Sequence, residues 1–132
     1  MSCILRIVGT NLNLKELLNV SLFPDSTWGK DTPRISTKSE SKKHKNSGAR
    51  YVVSEADFDK YEQQILDAIE FLKKNKNKIQ EIMNLPNVDS ADLDFGIYRR
   101  DVAGQFVKFP TELVKLAGNL GLGIELSQYP AG

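Results

Sequence analysis

The stretch "SEADFDKYEQQILDAIEFLKKNKNKIQEIMNLP", residues 54–86, constrains the fold of this chain more than any other. Phe58, Tyr61, Ile65, Ile69, Leu72, Ile79 and Met83 recur there at spacings of three, four and seven, which places them on one apolar stripe of a helix. Such a stripe has to be laid against another apolar surface, so the rest of the chain must supply one. Ser54 with Asp57 three residues later has the form of an N-terminal capping signature, and Pro86 sets the far limit. Between Glu55 and Glu70 stand six acids and one lysine, followed by Lys73, Lys74, Lys76 and Lys78, an order that suits the helix dipole. The run "KKNKNK" is weakly helical and predicts a bend between two abutting helices.

The surface for that stripe is a sheet. "CILRIVG" reads as a first strand, and "NLNLKELLNV" as a short helix capped by Asn11 or Asn13 with Leu14, Leu17 and Leu18 on one side. "PRIST" and "ARYVVS" read as two strands flanking a basic loop. In "ADLDFGIYRR", Leu93, Phe95 and Ile97 alternate with Asp92, Asp94, Gly96 and Tyr98, the period of a half-buried strand. "DVAG" then predicts a turn and "QFVKF" a hairpin partner. "PTELVKLAGNLG" reads as a helix opened by Pro110 and closed by Gly118 or Gly121, and "LGIELSQY" as a last strand with Leu122, Ile124 and Leu126 inward. The expectation is an α+β domain spanning residues 1–132, a twisted mixed or antiparallel sheet with helices packed on one face, in a ferredoxin-like or duplicated ferredoxin-like arrangement. The helix before the last strand is long enough for a right-handed crossover to a parallel neighbour.

Charge narrows the function. Eighteen basic against seventeen acidic side chains leave a net charge of +1, so no global field draws the molecule to nucleic acid or to an anionic membrane. The exception is local: residues 30–50 hold seven basic residues against two acids, with a mobile basic loop expected at about 38–49. No aromatic residue lies between Trp28 and Tyr51, as stacking on single-stranded nucleic acid would require. No apolar run approaches a membrane span and "MSCILRIVG" lacks the build of a signal peptide, so a cytoplasmic protein is expected.

Catalytic chemistry finds little footing. A single Cys3 forms no internal disulfide and reads as a small buried hydrophobe. One His44, in a Ser- and Lys-rich stretch, gives no metal-ligand cluster and no oriented base for a nucleophile. Neither phosphate-cradling glycine motif occurs, and "GNLGLG" precedes a strand rather than a helix. No cofactor is implied. Asp92 and Asp94 share a strand face that a carboxylate pair or a divalent ion could use, but solvent-facing strand acids are the simpler reading. The candidate binding residues are Trp28, Lys30, Arg34, Tyr98 and Arg100, which together would make a cationic, aromatic-rimmed groove. Trp28, the sole tryptophan, reads either as a lid over the sheet or as an anchor within that groove.

The early "DSTWGKDTPR" and the tail "LDFGIYRRDVAGQFVKFPTELVKLAGNLGLGIELSQY" resemble bacterial domain-of-unknown-function family 4279. Thr27, Trp28, Lys30 and Asp31 fall where that family carries a T-x-W-x-K-G-D-like motif, although here the glycine precedes the lysine and the strand aromatic is Tyr51 rather than tryptophan. The resemblance spans nearly the whole chain and implies a fold but no established activity. It suggests a non-enzymatic protein-interaction module of immunity type, whose partner is another protein. The alternative is a small-ligand or nucleic-acid binding domain that uses the cationic aromatic groove.

Overall fold

The computed structural model describes residues 2–30 and 44–130. In chain order the elements are β1 (Cys3–Gly9), α1 (Leu14–Leu18), β2 (Ser26–Trp28), β3 (Ser47–Ser54), α2 (Tyr61–Lys74), α3 (Lys76–Met83), β4 (Ser90–Arg99), α4 (Thr111–Asn119) and β5 (Gly123–Pro130). Among the described residues they form an α+β fold with one five-stranded mixed sheet in the order β2-β3-β1-β4-β5. The class is the expected one, and the sheet is characterised by this order rather than by a ferredoxin-like label. Strand β1 lies at the centre, antiparallel to β3 and β4; β2 runs antiparallel to β3, and β5 parallel to β4. Helix α4 makes the crossover that a parallel neighbour demands.

One face of the sheet is covered. Cys3, Leu5 and Ile7 of β1, Ala49 and Tyr51 of β3, and Leu93 and Phe95 of β4 are buried in a single cluster with Ile65, Ala68 and Leu72 of α2 and Leu113 and Ala117 of α4. The helical stripe is therefore core, as its spacing requires, and Asn75 breaks it into α2 and α3 at the expected bend. Gln64, fully buried on α2, donates from Nε2 to the Gly96 carbonyl at 2.8 Å and so pins the helix to β4. At the other end of the core, Asn13 caps α1 by accepting from the Lys15 amide at 2.9 Å. Gly121, at φ +78°, closes α4 in the left-handed conformation that glycine adopts without strain.

Two expectations are corrected. Ser54 does not cap the long helix. It ends β3 opposite Cys3, and its hydroxyl donates to Asp67 at 2.6 Å and accepts the Ala56 amide at 3.2 Å. Strand pairing claims the residue, so the chain turns through residues 55–60 before α2 begins at Tyr61, and Phe58 leaves the helical stripe. Nor is "QFVKF" a strand, because both edges of β4 are already occupied, by β1 and by β5. Gln105 takes the part that a hairpin partner would have played: it donates to the Tyr98 carbonyl at 2.8 Å and accepts the Arg100 amide at 3.0 Å. The expected strand "PRIST" lies outside the described residues, as does the basic loop apart from residues 44–49.

Candidate binding face

The second face of the sheet carries no helix side chain in the cluster just described, and its residues follow from register. With Cys3, Leu5 and Ile7 turned inward, Ile4, Arg6 and Val8 turn outward. Their cross-strand partners are Val52, Arg50 and Gly48 on one side and Asp94, Asp92 and Ser90 on the other. Trp28 is opposite Gly48, while Glu125 and Tyr129 of β5 stand beside Asp94 and Tyr98. A polar, cationic and aromatic surface is thus assembled from five strands.

Each end of this face is built on a glycine. A β-carbon at Gly48 would overlap the Trp28 indole, and one at Gly96 would stand 3.1 Å from the Phe58 ring and 3.2 Å from the Ser2 carbonyl. At the Trp28 end the indole N–H donates to Asn46 Oδ1 at 3.0 Å, the Arg50 guanidinium carbon lies 5.8 Å from the ring centroid, and the His44 ring lies at 5.7 Å. At the other end Phe58 stacks on Tyr129 at 5.2 Å and meets Tyr98 edge-on at 5.3 Å. Two clefts, of about 540 and 210 Å³, open on this face and share Arg6 and Arg50.

The two shared arginines differ in their company. Arg6 pairs with Asp94 at 3.5 Å and with Glu125 at 3.6 Å, and Asp94 in turn accepts from the Ser127 hydroxyl at 2.6 Å. Arg50 has no carboxylate partner among the described residues, and its Nε is buried without a hydrogen bond. An arginine packed against an indole makes a cation–π contact and keeps its outer guanidinium edge available for charge-assisted hydrogen bonds.

The residues singled out from sequence are distributed over the molecule rather than gathered. Trp28 is half-buried over Gly48 and also lines the larger cleft, so it serves as lid and as wall at once. Lys30 is exposed, and its backbone amide donates to Ser47 Oγ at 3.1 Å. Arg34 lies outside the described residues. Tyr98 and Arg100 line a separate cleft with Phe58, Tyr61 and Phe106. Register sets Trp28 level with Ser90 on β4, eight residues before Tyr98. At ~3.3 Å per residue that is roughly 26 Å along the strand, and the two side chains line different clefts. Asp92 and Asp94 do share the open face, but Asp94 is committed to Arg6 and Ser127.

Arg6, Arg50, Phe58 and Tyr129 are the residues that sequence reasoning passed over. Arg6 did leave a signal: in "CILRIVG" it is the one charge in an apolar strand, at an alternate position to Cys3, Leu5 and Ile7. Cys3 lies on the opposite face, wholly buried, with its thiol held well above the ordinary range chiefly by burial and further by Asp94 and Asp67. No helix among the described residues is long and apolar enough to cross a membrane.

No curated protein and no solved structure matches the chain. The model of the family described as Domain of unknown function (DUF4279) matches residues 1–131, essentially the whole length, and the chain belongs to that family.

Proposed function

We propose that this chain is a non-enzymatic protein-interaction module that seats a partner protein against the aromatic end of the open face, and that it acts in the manner of an immunity protein, by covering a toxin. The observation that carries this reading is the cluster of Tyr98, Tyr129 and Phe106. These side chains are 38%, 44% and 83% exposed, and the exposed Arg100 lines the same cleft as Tyr98 and Phe106. Tyrosine and arginine anchors of this kind dominate binding energy at protein interfaces, whereas singly scattered apolar side chains need no explanation. The burial of Cys3 supports the non-enzymatic reading, since a thiol held protonated inside the core is a poor nucleophile.

The test compares wild type with Tyr98→Ala combined with Arg100→Ala. The double variant should fold, and it should lose a partner that wild type captures, since each anchor contributes on the order of 2 kcal/mol. Capture should survive high salt, as a packed protein interface does. A steep loss with salt would favour the nucleic-acid alternative. Growth rescue on co-expression with a captured toxin would establish the immunity role, and a partner without toxicity would overturn it.

A further inference from the structure

We propose that the cleft at the Trp28 end of the open face is a binding site for a phosphoryl group, either free phosphate or the terminal group of a small phosphomonoester, with Arg50 as its principal ligand. The cleft of about 540 Å³ is lined by Arg6, Val8, Trp28, His44, Lys45, Asn46 and Arg50, and no carboxylate lines it among the described residues. Among the described residues three permanent cations line it, Arg6, Lys45 and Arg50, in a molecule whose overall charge is only +1. A concave wall in which one sign predominates concentrates field where net charge does not.

The chemistry within the cleft favours an oxyanion. The Arg50 guanidinium is held against Trp28 with one nitrogen sealed from solvent and unpartnered, so it has already lost part of its hydration without gaining a counter-charge among the described residues. An anion at its outer edge would recover that loss in a setting less screened than water. The planar fork of arginine matches two oxygens of a phosphoryl group at once, and Lys45 adds a point charge from the segment leading into β3. Arg6 is partly neutralised by Asp94 and Glu125, which makes it a boundary of the site rather than its centre. Asn46 holds the indole through its side-chain oxygen, so the wall beside Arg50 is in place before any ligand arrives.

Trp28 is the only tryptophan, so its emission reports on this cleft alone. The full chain is titrated with inorganic phosphate, with O-phosphoserine, and with sodium chloride at matched ionic strength. The expected result is a saturable change with phosphate and phosphoserine and none with chloride. Arg50→Lys should weaken binding about ten-fold, since it loses the two-pronged contact. Lys45→Met, on an exposed residue outside every strand, should weaken it about three-fold with an unchanged melt. Saturation by phosphate alone would identify the free ion as the ligand, and saturation by both would admit the monoester. No saturable response, an equal response to chloride, or an unaltered response in both variants would overturn the proposal.

Discussion

Strand β1 shows two kinds of surface in seven residues. Cys3, Leu5 and Ile7 are wholly buried beneath α2 and α4, whereas Ile4, Arg6 and Val8 alternate with them and meet Arg50, Asp94 and the two clefts. The covered face is apolar and closely packed, so its side chains carry stability. On the open face Arg6 is held by Asp94 and Glu125 and the rings of Trp28 and Phe58 rest on glycines, so there the side chains are polar, ionic and aromatic. A strand with one covered face concentrates folding on alternate residues and leaves those between free to be polar.

Substitutions that exchange the two kinds of surface break this comparison most severely. Leu5→Asp or Leu72→Asp would put an unpaired carboxylate at a fully buried position, at several kcal/mol, comparable to the total stability of a domain. No cooperative melt is expected in either variant, and a near-wild-type melt would show that the covered face has been assigned wrongly.

Alkaline pH tests the same face without mutation. Burial raises the Tyr51 phenol from 10.0 to about 12, and it raises the Cys3 thiol from 9.0. Both groups are neutral in the folded protein and ionise more readily once unfolded. Their contribution to stability is complete below about pH 9 and is lost as pH climbs through the raised values. Denaturant midpoints should fall between pH 9 and 12, and Tyr51→Phe should flatten the upper part of that fall. The same variant removes a buried hydroxyl that has no partner, so at neutral pH it should cost nothing or stabilise slightly.

Effects on the open face are smaller. Gly48→Val should displace the Trp28 ring, cost about 1–3 kcal/mol and shift the indole emission to the red as the ring enters water. Unshifted emission would mean that the ring does not rest on Gly48. Arg6→Met breaks two ion pairs around a side chain 31% exposed, and after allowance for solvent screening its cost should stay within about 1 kcal/mol by urea melt. The exposed Lys73–Glu112 pair should contribute least, with Lys73→Met unchanged within about 0.5 kcal/mol.

Local periodicity was sufficient wherever a segment's neighbours lie across one face. Leu93, Phe95 and Ile97 declared β4, and Ile65 and Leu72 declared α2, because burial on one side writes a period into the sequence. Ser54, Phe58 and "QFVKF" were misread because their fate is decided at a distance. Ser54 is taken by Cys3, Phe58 by Tyr98 and Tyr129, and the strand edge that "QFVKF" would have used by β5. The open face was legible only in single residues. Trp28 and Tyr98 could be chosen by type, but the juxtaposition of Arg6, Arg50, Phe58 and Tyr129 arises from strand order, which no local pattern encodes.

The position of Cys3 makes the molecule its own clock. The only thiol of the chain is on the central strand, with ladders on both sides and a helix layer above, so an alkylating reagent reaches it only when the middle of the sheet opens. When reclosing outpaces alkylation, the labelling rate divided by that of an unstructured cysteine peptide gives the opening equilibrium of the core strand. Because a ligand on the open face stabilises the closed state by mass action, the same rate should slow when either cleft is filled. A residue with no part in binding would thereby report on it from the opposite side of the sheet.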